Sequence, residues 1–204
     1  MFVQVMKGHL QDPSAVRPTL DDWLENVAPG SSGWLGTTSG TTADGEWVSV
    51  VRFESPAAAR ESMRRPEQSE WWAKVAHVGG AAAESHECTR VFAAPSEQPR
   101  EVGFVQVRQG RVKDPERSLA LMSATLPQMV QFRPDVVGRL IAAHDDDPGA
   151  FTQLSYFTSE QEAREGERKP PPPELTPQMV EMASLMVGPL VYFDLAEHWL
   201  GRPR

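Results

Sequence analysis

Residues 1–13 read MFVQVMKGHLQDP, and residues 104–115 read FVQVRQGRVKDP. Laying Phe2-Val3-Gln4-Val5 on Phe104-Val105-Gln106-Val107 also lays Gly8 on Gly110, Asp12 on Asp114 and Pro13 on Pro115. Agreement that runs from an apolar start to a shared Asp-Pro marks an internal repeat. In a strand, alternate side chains point to opposite faces, so Phe2, Gln4 and Met6 separate from Val3 and Val5, and Phe104, Gln106 and Arg108 from Val105 and Val107. The valines are the expected packing side. Gln4 and Gln106 lie on the other face and need hydrogen-bond partners wherever they are buried.

The match continues down the chain. Thr19-Leu20-Asp21-Asp22-Trp23-Leu24 meets Thr125-Leu126-Pro127-Gln128-Met129-Val130. Each is read as a threonine N-cap ahead of an apolar face, with Leu20, Trp23, Leu24 and Val27 on one helical stripe and Pro127 just behind the second cap, where its missing N–H costs nothing. Gly33 and Gly138 follow these helices. Hairpins are expected next, residues 34–42 with 47–53 around Asp44-Gly45, and residues 139–144 with 151–157 around Asp147-Pro148-Gly149. Ser55 and Ser159 are natural caps for a further helix in each copy. Second helical pieces follow at residues 69–78 and 176–187, the latter behind four prolines that form a stiff connector. Strands at residues 87–93 and 190–195 close the copies.

The order is therefore βαββαβ, twice. One such unit is ferredoxin-like, an α+β fold with a four-stranded antiparallel sheet, helices on one face and the other face bare. Two units meeting sheet to sheet bury both bare faces and form a pseudo-dimeric α/β barrel. The expected halves are residues 1–94 and 101–204, joined by the Pro-rich segment APSEQPR that holds each at high effective concentration for the other.

Composition narrows the function classes. The chain of 204 residues is 40% hydrophobic and 24% charged, which suits a globular protein. A net charge of −8 disfavours nucleic acid as a partner. No apolar run approaches a membrane span and no secretory leader is read at the start, so a cytoplasmic protein with no membrane partner is expected. Cys88 stands alone, and the histidines at 9, 77, 86, 144 and 198 lack the spacing of a helical metal motif, so no metal site is expected. The run Asp145-Asp146-Asp147 reads as a solvated turn. No phosphate-binding glycine loop, hydrolytic triad or paired-carboxylate motif is present.

The twofold pattern resembles the dimeric α/β-barrel superfamily, and within it the antibiotic-biosynthesis-monooxygenase-like group. The stretch from Phe53 to Arg60 (FESPAAAR), with Ser69-Glu70-Trp71-Trp72 after it, is similar to the third strand and second helix of that group. The resemblance implies a ligand between sheet and helices of one unit, or in the barrel mouth. It includes cofactor-independent oxygenases of polycyclic quinols, haem-degrading monooxygenases and proteins of other roles, so the fold alone does not choose a reaction. Haem-degrading relatives use an Asn on strand one and a Trp and an iron-binding His on the second helical region. Here Gln4 or Gln106 stands at the amide position, with Trp71, Trp72 and His77 nearby.

His77 and Arg52 are the candidate catalytic residues. Gln4, His9, Trp34, Trp72, Gln106 and Tyr156 are the candidate ligand-binding residues. Each has a plainer reading: His77 as a surface histidine, Arg52 at a solvent-exposed strand end, the tryptophans as core, Tyr156 packed with its tip in water. The copies diverge where His9, Trp34, Arg52, Trp72 and His77 meet Arg111, Arg139, Tyr156, Met179 and Ser184, which points to one functional pocket, in the first half. The expected function is a monooxygenase-like protein that binds or oxidises a small hydrophobic or aromatic molecule without a dedicated cofactor. The alternatives are a non-enzymatic ligand-binding or interaction barrel and a haem-binding or haem-degrading one. The expected state is a monomer with pseudo-twofold symmetry or a further homodimer.

Overall fold

The computed structural model describes residues 1–10, 12–78, 84–95, 101–195 and 197–203, and for residues 13, 76–78 and 95 it describes the backbone alone. Strand β1 (Phe2–His9) leads through a 3-10 turn (Pro13–Ala15) into α1 (Val16–Asn26). The hairpin β2 (Trp34–Thr41) and β3 (Glu46–Phe53) follows, then α2 (Pro56–Met63), α3 (Pro66–Val78), β4 (Glu84–Cys88) and β5 (Arg90–Pro95). The series then repeats as β6 (Phe104–Arg111), α4 (Pro115–Phe132), β7 (Val136–Ala143), β8 (Ala150–Phe157), α5 (Glu160–Arg168), α6 (Thr176–Leu185), β9 (Val191–Leu195) and β10 (Glu197–Gly201). This is the expected α+β pattern of tandem ferredoxin-like repeats.

Two antiparallel sheets form, ordered β10-β2-β3-β1-β4 and β5-β7-β8-β6-β9. Each closing segment is thus cut in two. Its first piece pairs with the first strand of its own copy, and its second piece with the hairpin of the other sheet. The chain divides into two compact units, Met1–Arg90 with Phe193–Arg204, and Val91–Tyr192. No helix among the described residues is long and apolar enough to cross a membrane.

The helix starts differ from expectation, and the opening repeat explains why. Helix α4 begins at Pro115, and the Asp114 carboxylate accepts from the Arg117 N–H at 2.9 Å. An extended aspartate followed by a proline at the first helical position satisfies an orphan donor and presets the backbone. Thr125 is therefore interior, its hydroxyl donating back to the Leu121 carbonyl at 2.9 Å, and Pro127 lies inside the helix. In the first copy the Asp12 carboxylate accepts from Ser14 N–H at 3.0 Å, and Pro13 opens the 3-10 turn that runs into α1. Thr19 is again inside the helix, bonded to the Ala15 carbonyl. The shared Asp-Pro, not the shared threonine, starts α4 directly and, in the first copy, starts the 3-10 turn that leads into α1. Ser55 and Ser159 do cap α2 and α5, accepting from Ala58 and Glu162 N–H.

The hairpins hold as expected, with Gly45 and Gly149 at positive φ in their turns. Their register corrects the alignment. A bulge lies between Trp34 and Gly36 in one copy and between Val136 and Gly138 in the other. Gly36 pairs with Arg52 and Gly138 with Tyr156, so Gly36, not Gly33, is the counterpart of Gly138. Trp34 then matches Val136, and Arg139 matches Thr37.

Alternation along the strands is as read. Val3, Val5, Val105, Val107 and Leu154 are fully buried on one face of their sheets. The opposite face of the first sheet packs its own helices, where Phe2, Leu20, Trp23, Val27, Trp34, Phe53, Ala59, Trp71 and Trp199 form one cluster. In the second sheet Phe104, Phe157 and Ala163 form a smaller one, with Val136 against it.

Candidate functional site

All six tryptophans of the chain belong to the first unit. Five of them, Trp23, Trp47, Trp71, Trp72 and Trp199, line a slot between the sheet and the helices. The sixth, Trp34, packs edge to face on Trp23 at 4.8 Å between ring centroids. Alternation places the sheet's share: β1 presents Gln4 and Met6, β2 presents Thr37, and β3 presents Trp47, Ser49, Val51 and Phe53. Helix α1 supplies Leu20 and Trp23 one turn apart, α2 supplies Met63, and α3 supplies Gln68, Trp71 and Trp72. The empty space, its open mouth included, is about 500 Å³.

The indole N–H groups sort the wall from the working surface. Trp23 donates to Gln68 Oε1 at 2.9 Å, Trp34 to Thr37 Oγ1 at 3.0 Å and Trp47 to Ser39 Oγ at 2.9 Å. Trp71 donates to the Thr19 carbonyl at 2.9 Å and Trp199 to Asp21 Oδ1 at 2.8 Å. These bonds fix the rings in place. Trp72 differs: its Nε1 is buried and has no partner among the described residues. A buried unpaired donor carries its full desolvation cost, so in native proteins it calls for an explanation such as a ligand or ordered water. Trp72 is held edge to face on Trp71, at 4.9 Å between centroids. Gln4, on the sheet side of the same slot, also makes no hydrogen bond among the described residues, and its side chain is half-buried.

The described lining of the slot is electrically neutral. It contains no carboxylate, imidazole, thiol, phenol, lysine or arginine. It offers amides, hydroxyls and one indole N–H. Among the described residues it presents no imidazole, thiolate or phenolate to a haem iron, and no cation to haem's carboxylates. The side chain of His77, on which a haem reading turns, lies outside the described residues, although its backbone is in α3.

The structure gathers some of the sequence-derived candidates and scatters others. Gln4 and Trp72 line the slot, and Trp34 braces Trp23 behind it. Arg52 is on the other face of β3, in line with Val48 and Val50, with its guanidinium lying over Gly36. His9 is exposed at the end of β1, its Nδ1 3.3 Å from Glu46 Oε1. In the second unit Gln106 is buried and donates to Glu167 Oε1 at 3.2 Å. Tyr156 is on the opposite face from Gln106, since it pairs with Val105 and packs over Gly138.

Two important contributors escaped the sequence reading. Gln68 is 4% exposed and anchors Trp23 across 45 residues of sequence. Trp199 arrives on β10, which pairs with β2 of the first sheet although it comes at the end of the second copy. The one available signal was the concentration of tryptophan in the first copy's helices.

No family model matches the chain, and no curated protein matches it in sequence. Solved structures do. A candidate monooxygenase from Lactobacillus acidophilus superposes on 98% of this chain and 95% of its own, with a TM-score of 0.77 at 11% identity. One from Fusobacterium nucleatum covers 98% and 94%, with a TM-score of 0.77 at 9% identity. An anthrone oxidase-like protein covers 98% and 93%, with a TM-score of 0.63 at 12% identity. At such identities the likeness is one of fold.

Proposed function

We propose that this chain, whose fold is that of the dimeric α/β-barrel superfamily, is a monooxygenase-like protein that takes a neutral aromatic molecule into the first unit's tryptophan slot. The observation that carries the reading is the Trp72 N–H, buried and unpaired in a neutral aromatic slot. Solved relatives of the fold that are described as monooxygenases or as anthrone oxidase-like support the same direction.

The substrate class that suits these groups is a fused-ring phenol or anthrone. Its rings slide between indole faces. Its oxygen accepts from Trp72 Nε1 and the Gln4 amide, donors aimed where negative charge develops when the substrate ionises. For an anthrone the overall change is a ring CH2 plus O2 giving a ring C=O plus water, and for the phenol an aromatic C–H and the O–H supply the same two hydrogens on the way to the quinone. The carbon is oxidised by the four electrons that dioxygen accepts, and no further reductant is needed. Because the described lining has no base, the substrate's own acidity sets its ionisation, and the slot stabilises the anion by hydrogen bonds. Arg52 and His9 act outside this step in the proposal. His77 remains a candidate through its helix position alone.

Oxygen uptake with a panel of anthrones and quinols tests this. The expected result is one O2 consumed per substrate, with kcat/KM lowered about 10- to 100-fold in Trp72→Phe and in Gln4→Leu. Tight binding without oxygen uptake would favour the non-enzymatic ligand-binding barrel. Haemin giving a shifted Soret band that disappears in His77→Ala would overturn the cofactor-free reading.

A further inference from the structure

The second unit's equivalent of the tryptophan slot has a different chemistry. Arg139 stands at the register position that Thr37 holds in the first unit, facing Ser155 of β8 and flanked by Ile141. It lines a small apolar cavity with Leu126, Met129 and Val130 of α4, Val136 and Gly138 of β7, and Ala94 of β5. The empty space there is about 350 Å³, mouth included.

The Arg139 guanidinium makes no hydrogen bond or ion pair among the described residues, and its Nε is buried without a partner. The carboxylate whose charge acts on it is Asp135. Asp135 is taken by Arg133, which holds it with two nitrogens at 2.7 and 2.9 Å. A second cation, Arg108, lies on the same face of the sheet and packs over the Tyr192 ring at 5.8 Å. Burial, and then the charges of Arg108 and Arg133, push the Arg139 guanidinium down to about 10. Holding a half-buried cation with no ion-pair partner is costly, and folded proteins keep such an arrangement where an anion completes it.

We infer that the second unit binds a small organic carboxylate with an apolar body, its carboxylate on Arg139 and its body against Leu126, Met129 and Val130. A carboxylate fits better than a phosphate. The guanidinium fork matches two carboxylate oxygens, whereas the walls are apolar and supply no cluster of further donors for a tetrahedral oxyanion. The two copies of the repeat have thus specialised, one slot neutral and aromatic, the other cationic. This inference stands apart from the oxygenase reading and uses none of its residues.

Phenylacetate is a suitable probe, with phenylacetamide as the neutral isostere and inorganic phosphate as the alternative anion, each followed by titration calorimetry and by melting temperature. Phenylacetate is expected to bind and raise the melting temperature, with the amide and phosphate at least tenfold weaker. Arg139→Gln is expected to lose phenylacetate binding at least tenfold while melting no lower than wild type, since a half-buried cation with no ion-pair partner has been removed. Arg139→Lys should retain part of the affinity, and Trp72→Phe should leave it intact. Equal binding by acid and amide, unchanged binding in Arg139→Gln, or no binding by the wild-type protein overturns the inference. Loss of binding in Trp72→Phe overturns it as well, because it moves the site to the first unit.

Discussion

Trp71 and Trp72 are adjacent on α3, touch each other and lose the same atoms on replacement by phenylalanine, yet the two substitutions should differ in stability. Trp71 is 6% exposed, and its N–H is satisfied by the Thr19 carbonyl at 2.9 Å. Trp71→Phe removes that bond while the Thr19 carbonyl keeps its place in the α1 ladder, at a net cost of about 0.5–1.5 kcal/mol beyond lost packing. Trp72→Phe removes a donor that is buried and unpaired, relieving about 1–3 kcal/mol against a similar or smaller packing loss. Without ligand, Trp72→Phe should therefore exceed Trp71→Phe in stability by about 2–4 kcal/mol, or roughly 4–15 °C in melting temperature for a chain of this size. Urea unfolding followed by circular dichroism measures this directly, free of the fluorescence change that removing an indole brings. Equal stabilities, or a less stable Trp72→Phe, would refute the assignment of the Trp72 N–H as an orphan awaiting a ligand. A saturating ligand should narrow the gap, because it supplies the missing acceptor to wild type and not to Trp72→Phe.

Other outcomes follow from the same geometry. Gln68→Met leaves the Trp23 N–H buried without its acceptor and should cost about 1–3 kcal/mol, whereas adding Trp23→Phe to it should cost less than the two single changes together, a coupling that a double-mutant cycle reads. Asp114→Ala removes the α4 cap and should cost about 1 kcal/mol, while Thr125→Ala should cost less, as measured by denaturant midpoints. Hydrogen bonds from Lys74 and Asn26, with the Lys74 charge, hold the Asp22 carboxyl below its usual value. Its contribution is therefore present above the unfolded pKa and is lost as pH falls through the lower folded value, so the stability difference between wild type and Asp22→Asn should shrink on acidification below about pH 4. If the slot contributes no base, the pH–rate profile of oxygen uptake should follow the ionisation of each substrate across the panel; one fixed enzyme value for every substrate would contradict it.

The strand order within each copy was legible because it rests on local signals. Alternation in Phe2-Val3-Gln4-Val5, the Asp44-Gly45 turn and the serine caps each act within a few residues of sequence. The helix starts were misread because two start signals competed, and an Asp-Pro pair with an extended aspartate outweighs a threonine that can turn back to the carbonyl four residues earlier. The match of Arg139 with Trp34 failed for a related reason. Gly33 and Gly36 both offer a match for Gly138, and strand pairing, with the same bulge ahead of Gly36 and Gly138, is what selects Gly36.

By itself the sequence determined that a βαββαβ unit is written twice, which face of each first strand is apolar, and that the two copies have diverged in their polar and aromatic residues. Tertiary structure alone decided that all six tryptophans meet in one unit, that Trp199 reaches it from the end of the chain, and that five indoles find acceptors while Trp72 does not. It also decided that Arg52 faces away from that slot while Arg139 sits in its counterpart with no ion-pair partner among the described residues. The physical reason is range. Periodicity and capping are set by neighbours along the chain, whereas the pairing of a buried donor depends on which distant acceptor packing brings within 3 Å or so.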